Sequence, residues 1–240
     1  MHSILLITGW GLGTKPLEAL KQSLQAQGYQ VELMNIFNAF DQVELDAKIK
    51  IAQKFDVIAG WSLGGQLASV LAEQIYKKTA KAKVLITLAS NPCFIAKECW
   101  PIGMQYSAFQ SFKSSFQQDA LTTLKRFSYL VTQGSKNAKQ DWQYLQNSVN
   151  DEDKTIKTQG LELLENLNSV SILESYQGPQ YHVLAEDDGL VAYKVADYLR
   201  KIPAKFIKID SVIGSHGFPL FNIHETTNKI LGYLKTTLKK

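Results

Sequence analysis

The stretch "IAGWSLGGQLA", residues 58–68, constrains this chain more than any other. A β-rich apolar run leads into Gly60-Trp61-Ser62-Leu63-Gly64, and a helix-period segment leaves it. Glycines flanking a strand-to-helix turn let the backbones pass closely. The serine between them is held in a strained conformation with its hydroxyl exposed at the sheet edge. A helix N-terminus at that point favours developing negative charge. The pattern therefore demands a strand followed at once by a helix, and it makes Ser62 the candidate nucleophile. The plainer alternative is a glycine-rich turn without chemistry.

The rest of the chain repeats that unit. β-rich runs lie at 3–8, 30–36, 55–61, 83–89, 181–186 and 205–210, several of them nearly continuous apolar runs. Such runs fit strands buried on both faces of a parallel sheet. Segments 15–27, 63–78, 190–201 and 222–238 read as amphipathic helices. The alternation predicts an α/β fold, a mostly parallel sheet with helices on both faces and right-handed crossovers. It breaks between about 93 and 175, where no good strand appears. Phe109, Phe112, Phe116, Leu121, Leu124 and Phe127 recur there at helical spacings. A stretch of that length is too long for a crossover loop. The expected organisation is a core of residues 1–92 and 175–240 with a helical cap inserted at 93–174.

Composition narrows the setting. The 240 residues are 45% apolar and 20% charged, ordinary for a globular domain, and the formal charge of +4 is too small to argue for nucleic acid. The two cysteines, Cys93 and Cys99, make neither a disulfide framework nor a four-ligand metal site, which points to a reducing, cytoplasmic compartment. The opening "MHSILLIT" lacks a basic leader region, and no apolar run approaches the length of a membrane span.

A serine nucleophile needs a base, and there are four histidines. His2 is terminal, His182 lies inside a strand-like run where a packed core role is expected, and His224 opens the last helix. His216, in "VIGSHGFPL" between the last strand and the last helix, is the candidate base. The chain order Ser…Asp…His places an orienting acid after the penultimate strand. "LAEDDGLV" offers Glu186, Asp187 and Asp188 there; Asp188 is favoured for its place before the turn glycine, with Asp187 the rival. Two backbone N–H groups should hold the oxyanion: that of Leu63, after the nucleophile, and that of Trp10 in "TGWGLG" after the first strand. The Trp10 indole is expected at the floor or wall of the substrate pocket.

Taken together, "GWGL", "GWSLGG", "ASNPCF", "DGLVAYKV", the His216 loop and "KRFSYLVTQGSKNAKQD" resemble the pimeloyl-[acyl-carrier protein] methyl ester esterases of biotin synthesis. The resemblance implies the α/β-hydrolase fold with a four-helix cap. It also implies hydrolysis of the methyl ester of a dicarboxylic acyl chain borne by acyl carrier protein, by a monomer without cofactor or metal. Carried over by motif, Ser62, Asp188 and His216 match the triad, Trp10 and Leu63 the oxyanion side, and Phe127 and Val131 the cap segment at the acyl chain. Arg126 matches a carrier-docking arginine and Lys139 another in charge. Thr8, Thr122, Val131 and Gln143 depart from the pattern, which has histidine, arginine, glutamine and arginine there.

The charge pattern bears on docking independently. Between 113 and 139, Lys113, Lys125, Arg126, Lys136 and Lys139 stand against one acid, Asp119. A basic face of this kind would steer a strongly acidic partner; the alternative is a solvated surface with no partner. Two other functions fit the same residues less closely. One is a carboxylesterase or thioesterase acting on short free esters, and the other a catalytically silent receptor of the same fold.

Overall fold

The computed structural model describes residues 2–149 and 153–238. The order is β1 (Ser3–Ile7), a 3-10 turn (Lys15–Leu17), α1 (Glu18–Ala26), β2 (Gln30–Met34), α2 (Gln42–Ala52), β3 (Val57–Trp61), α3 (Leu63–Thr79) and β4 (Val84–Leu88). Then come α4 (Tyr106–Gln118), α5 (Ala120–Thr132), α6 (Ala138–Gln146), α7 (Lys154–Asn166) and α8 (Val170–Ser175) without an intervening strand. The chain closes with β5 (Gln180–Ala185), α9 (Val195–Leu199), β6 (Ile207–Val212), α10 (Phe218–Phe221) and α11 (Ile223–Thr237).

The six strands pair in the order β2-β1-β3-β4-β5-β6, and every pairing is parallel. β3, β4 and β5 are buried at every position and are largely apolar, with Thr87, Gln180 and His182 the buried polar residues among them. α1 packs with α11 and α2 with α3. The chain starts at β1, steps out to β2 and returns past β1 to β3. The strand order therefore reverses beside β1, where open parallel sheets present their sites at the carboxyl ends of the strands.

Two elements differ from the reading of the sequence. Helix α2 has no counterpart in it, although Asp41 caps it by accepting from the N–H groups of Val43 and Glu44. Val43 and Ile51 face outward on α2, so no single apolar stripe marks it. The helix expected over 190–201 forms only at Val195–Leu199. The Asp188 carboxylate takes the N–H groups of Leu190 and Val191 at 2.8 Å each and holds the preceding turn out of helix.

Asp119 separates α4 from α5 and caps α5 through Thr122 N–H. Inside this helical layer Phe109, Phe116, Leu124 and Phe127 are buried, but Leu121, expected on the same face, is exposed. Asp119 restarts the helical phase, so spacing counted across it misplaces Leu121. Residues 150–152, between α6 and α7, lie outside the described residues.

Candidate active site

Each candidate side chain sits just past the carboxyl end of a strand, and the local sequence explains how. Ser62 follows β3 with φ 56° and ψ −123°, a left-handed-side conformation that a serine adopts only under constraint. The surrounding glycines supply the room. A Cβ on Gly60 would lie 2.0 Å from the Gly64 carbonyl oxygen. One on Gly64 would lie 2.4 Å from the oxygens of Ile7 and Thr8, and one on Gly65 2.5 Å from Ser90. The turn thus wedges between β1, β3 and the loop after β4, with Ser62 N–H anchored on Leu88 O at 2.9 Å.

His216, on the loop after β6, brings Nε2 to 2.9 Å from Ser62 Oγ, and its Nδ1 lies 2.8 Å from Asp188 Oδ2. Both the imidazole and the Asp188 carboxylate are buried, so little solvent competes for these bonds. Asp188 is fixed on its other oxygen by the Leu190 and Val191 N–H groups. Asp187 is exposed and turns away, its N–H donating to Gly214 O. Glu186 accepts from the Ser211 hydroxyl instead. Asp188, rather than Asp187, is therefore the carboxylate in line with His216 and Ser62.

Two further groups hold the histidine. Trp61 Nε1 donates to His216 O at 2.9 Å, and Gly217 N–H donates to Val131 O at the end of α5, also at 2.9 Å. Trp61 occupies the variable position of the glycine–serine–glycine motif, and nothing in its spacing singles it out. The other histidines stay apart. His182 is fully buried against Thr87 Oγ1 at 2.7 Å, and burial lowers its pKa to about 4. His224 is exposed beside Asn228.

The first loop lies against the serine: a Cβ on Gly9 would lie 3.1 Å from Ser62 Cβ. Leu63 begins α3, so its N–H falls in the first turn and has no intrahelical acceptor. Thr8 is buried and donates its hydroxyl to Gly13 O at 2.5 Å, closing the loop that carries Trp10 into a ring. The Trp10 indole is turned into the helical layer. Its Nε1 donates to Lys157 O at 2.7 Å, and Phe112, Phe116 and Phe127 meet it edge-on at 4.9–5.5 Å. Trp10 therefore ties the first loop to α4, α5 and α7.

Ser62 is 5% exposed, and Leu124, Phe127 and Val131 of this layer pack on the loops that flank it. Lys125, Arg126, Lys136 and Lys139 are exposed on the layer. Lys113 is not: it pairs with Glu165 on α7 at 2.5 Å, and that bond holds the Glu165 carboxyl below its usual range. The acid that neutralises Lys113 comes from a distant helix, which a count along the sequence does not see.

A serine on a strained strand-to-helix turn, with a base and an acid from the loops after β6 and β5, decides the architecture. The chain has the α/β-hydrolase fold. An esterase from Exiguobacterium antarcticum superposes with a TM-score of 0.82 at 16% identity, covering 98% of this chain and 92% of that one. A bromoperoxidase from Bacillus anthracis gives 0.76 at 16% identity over the same shares. By sequence, the chain is 29% identical over 208 residues to the pimeloyl-[acyl-carrier protein] methyl ester esterase of Salmonella newport, covering 82% of this chain and 79% of that protein. The protein of that name from Cronobacter sakazakii is also 29% identical, over 82% and 78%. No family model matches the chain. Among the described residues, no helix is long and apolar enough to cross a membrane.

Proposed function

We propose that this chain is a cytoplasmic serine carboxylesterase that hydrolyses the methyl ester of a dicarboxylic acyl chain carried on acyl carrier protein. The observation that carries the reading is the unbroken line Ser62 Oγ–His216–Asp188, at 2.9 and 2.8 Å, on a strained turn. The 29% identity to esterases of that name supports the substrate. Ser62 attacks the ester carbonyl as His216 takes its proton, and Asp188 holds the imidazole tautomer and stabilises the imidazolium. The N–H groups of Leu63 and Trp10 receive the oxyanion. His216 then protonates the departing methoxide, and water enters by the reverse route to release the acid. Phe127 and Val131 line the acyl chain, and Lys125, Arg126 and Lys139 steer the acidic carrier.

The test compares kcat/KM for a carrier-linked methyl ester and a short nitrophenyl ester across salt concentrations. The carrier-linked ester should be the better substrate and lose its advantage as salt rises. Equal rates without salt dependence would favour the second reading, a short-ester carboxylesterase, to which the internal Lys113–Glu165 pair and the neutral Thr122 and Gln143 point. Fluorophosphonate labelling in the wild type, lost in Ser62→Ala, separates both from a non-catalytic receptor.

A further inference from the structure

The nucleophile helix carries a second buried polar residue that the chemistry above does not use. Gln66 lies one turn beyond Ser62 on α3 and is fully buried. Its Nε2 donates to two backbone carbonyls, Pro92 O at 2.8 Å and Leu167 O at 3.0 Å. Pro92 lies where the chain leaves the sheet after β4, and Leu167 where it returns after α7. They are the two stems of the helical layer over Ser62. The stems also hold each other: Ser169 N–H and Oγ both donate to Pro92 O, and Cys93 bridges Asn168 in antiparallel fashion. A single side chain thus joins both stems to the helix that begins at the nucleophile.

The other end of the amide shows that this geometry is not incidental. Gln66 Oε1 is buried and has no hydrogen-bond partner among the described residues. An unpaired buried oxygen is unfavourable, and an apolar side chain of similar volume would avoid it. Rotating the amide gives no relief, because it would set the oxygen against two carbonyl oxygens. Among uncharged side chains, only an amide nitrogen offers two hydrogens from one atom to two separate chain segments. A cavity of about 10 Å³ lined by Gln66, Ser69, Thr87, Ser90 and Ser169 has room for one water at this spot.

We propose that Gln66 is a positioning residue that moors both stems of the helical layer to the nucleophile helix, and so sets where that layer stands over Ser62. Its effect on turnover rests on the esterase reading; the mooring itself does not. The experiment is amide hydrogen exchange on the full chain, wild type against Gln66→Met, which keeps length and volume but has no donor. Peptides from 93–105 and 167–176 should exchange about tenfold faster in the variant, the size of one lost hydrogen bond, with sheet peptides unchanged. In parallel, KM for a long-chain ester lying under the layer should rise while kcat for a short nitrophenyl ester holds. Unchanged exchange in both stems would overturn the mooring, and so would an equal acceleration in every peptide, the mark of an ordinary core residue. If Gln66→Met does not fold, Gln66→Asn is read by the same criteria, since its amide is one methylene too short to reach both carbonyls. Wild type that hydrolyses no ester would sink the esterase reading while leaving the exchange result to decide the mooring.

Discussion

One hydroxyl, that of Thr8, closes the loop on which the Trp10 N–H is carried, and its bond to Gly13 O is partly buried. Thr8→Val keeps the shape and removes the bond. We expect kcat to fall about 10- to 100-fold, in the range of a misplaced catalytic group, with KM little changed and with Thr8→Ser restoring most of the rate. Steady-state kinetics on a nitrophenyl ester measures this. The same assay separates the paired acids. Asp188→Asn should lower kcat by about 10,000-fold through the wrong imidazole tautomer, whereas Asp187→Asn should leave it near wild type. His182 offers a test by pH. Its folded pKa of about 4 lies below the ordinary value of 6.5. Between those values the unfolded chain takes up a proton that the folded chain refuses, so stability is full above pH 6.5 and falls as pH drops toward 4. Urea midpoints across that window should decline in the wild type and decline less in His182→Gln.

The elbow shows what an element demands of its glycines. Gly64→Ala would drive a Cβ to 2.4 Å from two backbone oxygens of the first strand and loop, which have no room to yield. A loss of about 2–3 kcal/mol is expected, at the upper end for overpacking, read as a shift in urea midpoint. Gly232 is the contrast: it is exposed within α11, and a Cβ there meets nothing within 4 Å. Gly232→Ala should stabilise by about 0.5–1 kcal/mol. Elements were legible in the sequence where one period dominated. The central strands stood out because burial on both faces leaves a largely apolar run, whereas the edge strands β2 and β6 are only partly buried. α2 did not, because its outward Val43 and Ile51 blur the stripe, and the 190–201 helix was read too long because the Asp188 carboxylate claims two of its N–H groups. At the site, Ser62, His216 and the acidic turn were visible as motifs in the right chain order. The restraints on them were not, since Trp61, Thr8 and Val131 act through partners that spacing does not reveal.

At the scale of the whole molecule, the helical layer packs on the loops beside Ser62, which is almost fully covered, and Lys125, Arg126, Lys136 and Lys139 are exposed on it. Replacing Lys125, Arg126 and Lys139 with glutamate should lower kcat/KM for a carrier-linked ester about tenfold at low salt, with much less effect at high salt or on a short ester. Lys113→Glu should act differently. It sets a second carboxylate against Glu165, so its first effect is on stability, seen as a lower Tm.

The sequence by itself pointed to the class of fold and to Ser62 and His216 as candidate nucleophile and base, because a strained turn and a parallel sheet each require particular residues at particular spacings. It left Asp187 and Asp188 as rivals, since neighbours in a turn differ only in direction. It did not show the partners of the Trp10 indole, which the structure anchors on Lys157 and three phenylalanines of the helical layer. Direction, and which distant segment supplies a hydrogen-bond partner or a counter-charge, were decided only by tertiary structure. They depend on contacts between segments separated along the chain, by 28 residues for Asp188 and His216, 52 for Lys113 and Glu165 and 147 for Trp10 and Lys157, and no local pattern encodes those.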